Sequence, residues 1–290
     1  MLKHRLTFGP IFIVLLIALT WFDQYLGEQA DQGSGLAGVP IGIALLLVVT
    51  AASLELAKML RAAGSTTPIA VHPLFAWIGL LAWWSPGVDA PGTIGAATAA
   101  CVLVGVIVQG RQAATKQNTG AITNLACGLL TMAYLGFLPA MLLELRLAHS
   151  AWALLWVLLL IKSCDIGAFA VGMTIGRHKL IPWVSPGKTW EGLVGGLATA
   201  AGLGVLGAAL FGDAGVFAGF DMTLLHGAIL GLVCGFTGQI GDLAVSMFKR
   251  DTGIKDSSSA VPGFGGVLDL LDSPLLAGTA AYWTLALLAA

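Results

Sequence analysis

Charge is scarce in this chain of 290 residues: Asp, Glu, Lys and Arg together make up only 10%. A soluble domain carries about a quarter charged residues, so a water-covered surface of the ordinary kind is excluded. Cysteine is sparse too. Cys101, Cys127, Cys164 and Cys234 stand singly in apolar runs, without CxxC spacing or a nearby histidine. That argues against a thiolate zinc site and leaves four small buried hydrophobes. No internal repeat of the transporter kind is visible, and no low-complexity linker separates domains. A phosphate-binding P-loop is also missing. SPGKTWEG at 185–192 has the terminal Gly-Lys-Thr, but Pro182 stands where that motif needs glycine, and no strand is expected before it. The net charge of −1 identifies no partner, because the positions of the charges carry the information.

What the chain has in excess is apolar length. Hydrophobic residues reach 57% and mean hydropathy is +0.90, which marks an integral membrane protein. Nine runs are long enough to span a bilayer: 7–23, 38–57, 68–85, 92–110, 121–143, 151–175, 190–211, 223–241 and 273–290. The first follows Lys3, His4 and Arg5 but ends in LTWFDQYL without a small-residue cleavage site, so it reads as a retained span. The expected fold is all-α and polytopic, with about nine transmembrane helices. Placing the N-terminus in the cytoplasm puts Lys3, Arg5, Lys58, Arg61, Arg111, Lys116, Arg177, Lys179, Lys188, Lys249, Arg250 and Lys255 inside. Arg146 is then outside, as are Asp23, Glu28, Asp31, Asp89, Asp213 and Asp221, and Lys162 lies within a span. Residues 1–150 read as a five-span scaffold with room for oligomer contacts, and 151–290 as a four-span catalytic region. Gly27 to Gly38 reads as a loop. Glu55 and Glu144 read as snorkelling or interfacial residues, with a cavity-lining role as the alternative. His72, His149 and His226 lie near membrane boundaries and read as ordinary boundary residues.

Against this background, Ser246 to Asp272 stands out by packing three basic and four acidic side chains around a Gly/Pro-rich bend. With Asp242 included, Asp242, Ser246, Lys249 and Arg250 recur at i, i+4, i+7 and i+8, one face of a helix. Asp269 and Asp272, three apart, share a second face. Two such faces joined by a bendable loop suit a metal-bound polyphosphate. Upstream, Lys162 and Asp165 stand one turn apart inside an apolar run. They either neutralise each other or line a polar cavity open to the cytoplasm. Gly172 and Gly176 would let another helix approach closely, and such small-residue faces permit a homodimer without requiring one. The segment 176–192 is a Pro/Gly-stiffened loop presenting Ser185, Lys188 and Thr189, with Glu191 at the start of the next span. It suits phosphate or headgroup contact, or anchoring by positive charge.

Ser246, Lys249, Arg250, Lys255 and Asp256, followed by Pro262, Gly263, Gly265, Gly266, Asp269 and Asp272, resemble the signature of the phosphatidate cytidylyltransferases, the CDP-diacylglycerol synthases. Asp165, Ala168 and Gly172, and SPxKTxEG from Ser185 to Gly192, are similar to that family as well. The agreement covers about residues 160 to 273. Two positions depart from the family's pattern: Phe264 replaces the usual histidine of the turn, and Leu270 a frequent arginine. The resemblance implies transfer of CMP from CTP to phosphatidate, giving CDP-diacylglycerol and pyrophosphate for phospholipid biosynthesis. Under it, Asp242 and Asp269 hold Mg²⁺, with a second cation, K⁺, as an option. Ser246, Lys249, Arg250 and Asp269 are the catalytic candidates. Asp165, Ser185, Lys188, Thr189, Glu191, Lys255, Asp256, Gly265, Gly266 and Asp272 are the substrate-binding candidates. The partners are CTP, phosphatidate and the lipid bilayer, with no nucleic acid, at the inner (plasma) membrane with the site facing the cytoplasm. A CTP-dependent kinase of a prenol-like lipid and a transporter using Lys162 and Asp165 are the competing readings.

Overall fold

In lipid, every backbone N–H and C=O must find a partner within the protein, and a helix does this locally. The computed structural model follows that rule. It describes residues 2–30, 36–83, 90–114, 120–212, 216–217, 221–254, 257–258, 260–261, 263 and 265–289. The helices are α1 (Leu2–Ala30), α2 (Val39–Ala62), α3 (His72–Trp83), α4 (Ala90–Ala114), α5 (Ala121–Met132), α6 (Leu138–Ala148), α7 (Ala151–Ile175), α8 (Trp190–Phe211), α9 (Leu224–Asp251) and α10 (Val267–Leu288). A 3-10 turn, Ile69–Val71, enters α3, and a π turn, Ala133–Phe137, carries α5 into α6. The only strands among the described residues are β1 (Lys179–Ile181) and β2 (Ser185–Thr189).

Among the described residues, seven helical segments are long and apolar enough to cross a membrane: Phe8–Gln29, Val39–Ala62, Thr93–Arg111, Ala121–Ala148, Ala151–Ile175, Trp190–Phe211 and Leu224–Asp251. Ile69–Ala82 is apolar but shorter. The last expected run, 273–290, falls in α10, which carries Asp269, Asp272 and Pro274 in its first third. The chain is an all-α polytopic membrane protein.

Three local expectations change. The loop expected from Gly27 begins later, because α1 continues through Gly27 to Ala30. Asp23, expected in an outer loop, is fully buried on that helix. Its carboxylate accepts from the Ile41 N–H at 3.3 Å and pairs with the Arg146 guanidinium. The stretch expected as a plain loop at 176–189 holds an antiparallel hairpin, with Lys179 opposite Thr189 and Ile181 opposite Ser185.

The chain forms two compact units. One comprises residues 1–42, 141–247 and 272–290, the other residues 43–140 and 248–271. In the first, Ser150 caps α7 by accepting from the Ala153 N–H at 3.1 Å, and Thr189 caps α8 by accepting from the Gly192 N–H at 3.1 Å. Small residues let the helices meet backbone to backbone. A Cβ on Gly192 would lie 2.8 Å from the Ala168 carbonyl oxygen, and one on Gly204 would lie 2.0 Å from that of Gly227. In the second unit the π turn packs Gly136 on Gly79 of α3, where a Cβ on Gly136 would lie 2.8 Å from the Gly79 Cα.

Candidate active site

The first unit gathers its charges on α7, β2, α9 and the head of α10. The helical spacing of Lys162 and Asp165 brings Nζ within 3.2 Å of Oδ2, and Asp165 Oδ1 accepts from Gln239 Nε2 at 2.9 Å. Gln239 lies on α9, one turn before Asp242. Strand β2 holds the Lys188 ammonium 2.5 Å from Asp242 Oδ2 and 3.4 Å from the Gln239 carbonyl oxygen. The Asp242 side chain is also within hydrogen-bonding reach of buried Asp272, which feels the positive charge of Lys162. Asp272 Oδ1 accepts from the Ser273 N–H at 2.6 Å and from its hydroxyl at 3.0 Å. The crossing of α9 and α10 is close because a Cβ on Gly241 would lie 2.2 Å from the Asp272 carbonyl oxygen. Three carboxylates and two ammoniums therefore share one polar network between apolar helices, where an unpaired charge would be costly.

The second unit organises its charge around irregular backbone. Gly253, at φ 70°, ends α9. Its N–H bonds the Arg250 carbonyl and the Ile254 N–H bonds that of Lys249, at 3.2 and 3.0 Å, so Lys249 and Arg250 occupy the last turn, where the helix dipole favours cations. Past the glycine, the chain folds back. Val261 and Gly265 exchange both backbone hydrogen bonds, at 2.9 and 3.1 Å. Gly265 sits at φ +96°, and a Cβ there would come within 2.6 Å of Asp269 Oδ2, so both its backbone and its surroundings demand glycine.

This turn delivers two N–H groups to one carboxylate oxygen. Asp269 Oδ2 accepts from Gly266 at 2.9 Å and from Ser257 at 3.1 Å, while Oδ1 takes the Lys249 ammonium at 3.0 Å. Asp269 precedes the apolar stretch of α10. Burial works against its charge, but the Gly266 N–H, the Lys249 ammonium and the Ser257 N–H outweigh it and hold the carboxyl below the usual aspartate range.

Sequence reasoning missed the residue that fastens this loop. Glu55, 5% exposed on α2, accepts four hydrogen bonds. Oε1 takes the Ser258 hydroxyl at 2.6 Å and the Val267 N–H at 3.0 Å. Oε2 takes the Ser257 hydroxyl at 2.9 Å and the Leu268 N–H at 2.9 Å. A Cβ on Gly266 would fall 1.8 Å from Ser257 Oγ and 2.4 Å from Glu55 Oε2, which accounts for the second glycine of the pair. The available signal was an acid in the middle of an apolar run, since such a group normally faces polar partners inside the protein.

The structure thus brings Asp165, Lys188, Asp242 and Asp272 together in one unit and Lys249, Gly265, Gly266 and Asp269 in the other. Ser246 is half-buried and Arg250 exposed on α9. Ser185 is half-buried in β2, and Thr189 is the buried cap of α8. Glu191 bonds His178: Oε1 lies 2.6 Å from Nδ1, and both carboxylate oxygens lie 3.2 Å from the His178 N–H. The glycine face of α7 is used within the chain, because Gly172 meets Gly192 of α8. Lys255, Asp256 and Phe264 lie outside the described residues. His72 is a buried core residue whose Nδ1 lies 2.9 Å from the Thr131 hydroxyl.

The chain is a polytopic helical membrane protein with lysine-neutralised carboxylates and a glycine turn. The chain belongs to the cytidylyltransferase family, whose sequence model matches residues 30–288. It is similar to the phosphatidate cytidylyltransferase of Haemophilus influenzae, with 42% identity over 132 residues, covering 43% of this chain and 42% of that protein. It is also similar to the phosphatidate cytidylyltransferase of Mycobacterium bovis, with 37% identity over 139 residues, covering 48% of this chain and 42% of that protein. A third relative, the phosphatidate cytidylyltransferase of Synechocystis, is 33% identical over 195 residues, covering 58% of this chain and 64% of that protein. The chain thus matches between 42% and 64% of the length of these relatives.

Proposed function

We propose that the protein transfers CMP from CTP to phosphatidate, releasing pyrophosphate and leaving CDP-diacylglycerol in the membrane. The observation that carries this reading is the folded form of the signature loop: Lys249 on Asp269, with that carboxylate pinned by the Ser257 and Gly266 N–H groups. A phosphate oxygen of phosphatidate, already anionic at neutral pH, attacks the α-phosphorus of CTP, and the bond to the oxygen bridging the β-phosphorus breaks. No strong base is required. The barrier is electrostatic, because an anion must approach a triphosphate of about four negative charges, so positioning and charge neutralisation supply the catalysis.

In this reading Lys249, Arg250 and Lys255 bind the triphosphate and stabilise departing pyrophosphate, and Ser246 hydrogen-bonds a phosphate. Lys188, Ser185, Thr189, Glu191 and Asp165 belong to the substrate-binding surface, as do Asp256, Asp272, Gly265 and Gly266. Mg²⁺ takes one or two carboxylates and completes its shell with substrate phosphates and water. Asp242, whose side chain reaches Asp272, and Asp269, pinned by two N–H groups, are the carboxylates that the likeness to the family assigns to it. When bound, Mg²⁺ would neutralise the phosphates, and K⁺ is the candidate for a second ion. The excess of Lys and Arg in the loops assigned to the inner side supports a cytoplasmic site at the inner membrane.

Purified protein given Mg²⁺, labelled CTP and phosphatidate should release pyrophosphate and put label in the lipid. Release of CDP with an unlabelled, newly phosphorylated lipid would point instead to a kinase. Full activity after complete chelation would refute the metal assignment.

A further inference from the structure

Glu55 carries a burden that neither the signature nor its place in the N-terminal half announces. It is a carboxylate almost entirely withdrawn from solvent, yet it has no cationic partner in an ion pair among the described residues. Four donors satisfy it instead. Two are the first N–H groups of α10, from Val267 and Leu268, the groups a helix leaves unpaired at its start and where a negative charge is most favoured. The other two are the hydroxyls of Ser257 and Ser258. These contacts bracket the Asp269 clamp: Ser257 gives its hydroxyl to Glu55 and its N–H to Asp269, and Gly266, the other clamp donor, immediately precedes Val267.

We propose that Glu55 is a positioning residue for the nucleotidyl-transfer site. It serves as a borrowed cap for α10 and fixes both N–H groups that aim Asp269. The inference rests on the reading of Asp269 as part of the catalytic machinery. It also makes the N-terminal half more than scaffold. Glu55 touches no reacting group; its effect reaches the chemistry through the backbone of Ser257 and Gly266. The fit is specific to a carboxylate of this length. Gln would turn an NH₂ donor toward two donors, and Asp would fall short of at least two of the four.

The test compares full-length wild type with Glu55→Gln and Glu55→Asp in detergent, by hydrogen-exchange mass spectrometry in metal-free buffer and by steady-state assays over a Mg²⁺ titration. In Glu55→Gln, amides from Ser257 to Leu268 should exchange about tenfold faster while α7 and α8 keep their protection. The Mg²⁺ concentration giving half-maximal rate should rise, or kcat should fall, by about ten- to a hundredfold, as when partners that orient a metal-binding carboxylate are removed. The KM for phosphatidate should change little, and Glu55→Asp should recover part of the loss. If Glu55→Gln fails to fold, Ser257→Ala/Ser258→Ala removes two donors from the other side and should show the same changes, smaller in size. Wild-type loop protection together with wild-type kcat and Mg²⁺ dependence in the folded variants would overturn the proposal, even if melting temperature falls. An inactive wild type would defeat the functional reading alone, since exchange in the loop still decides whether Glu55 holds it.

Discussion

The two units differ in what holds their central carboxylates. In one, Asp165 and Asp242 meet the ammonium ends of Lys162 and Lys188, flexible side chains whose partners can be exchanged when a phosphate arrives. In the other, Asp269 also takes the Lys249 ammonium, but Glu55 and Asp269 each rest on two main-chain N–H groups, donors that cannot leave without unfolding the turn. The first arrangement suits groups that must trade partners during a reaction, and the second suits a carboxylate whose position must not change. A membrane enzyme that gathers several anions needs both, because binding energy is lost if everything moves and substrate cannot enter if nothing does.

The sharpest way to break the contrast is Asp269→Asn. Its amide would place a donor against either the two N–H groups or the Lys249 ammonium, and turnover should fall about a thousandfold, measured as labelled CDP-diacylglycerol formed per folded protein. A control away from the proposed chemistry is Arg146→Met, which strands the buried Asp23 carboxylate. It should cost about 3–5 kcal/mol of stability, seen in detergent melting, with the turnover of the surviving folded protein unchanged. Lys188→Met should lower turnover about a hundredfold by leaving Asp242 beside Asp272 without its cation, and Asp272→Asn in the same chain should restore part of the lost stability. Lys162→Met should matter least among the substitutions, with only a few-fold change in turnover, because Asp165 keeps its hydrogen bond from Gln239 Nε2.

The smallest effect is that of pH. Asp269 has a lowered pKa in the folded protein, so its contribution to stability is fully present above the ordinary aspartate range. That contribution is lost as pH falls through the lowered value. Wild-type melting temperature should fall in that acid window more than that of Asp269→Asn, and neither should respond to this group near neutrality.

Much of this architecture is legible in the letters. Helix α9 follows from an apolar run that continues into Asp242, Ser246, Lys249 and Arg250 at helical spacing, and the glycines around Phe264 announce a turn. What stays hidden is pairing across sequence distance. Asp23 and Arg146 are 123 residues apart, and nothing near either names the other. Glu55 is harder still, because half its partners are main-chain N–H groups, which every residue but proline carries. The hairpin at 179–189 escaped notice because three to five residues rich in Pro, Gly and Lys show no alternation. The neighbour of Asp242 within its unit, Asp272, depends on Gly241 admitting α10 closely, and a single glycine in an apolar helix does not reveal what will lie against it.

Glu55 leaves the ribosome 202 residues ahead of Ser257 and 213 ahead of Leu268. For most of synthesis this acid is already threaded into an apolar helix with none of its four eventual donors yet made. A charge so placed is expensive in lipid. The nascent chain therefore carries a standing reason to recruit the head of α10, and the Glu55 contacts close only once that helix has been made.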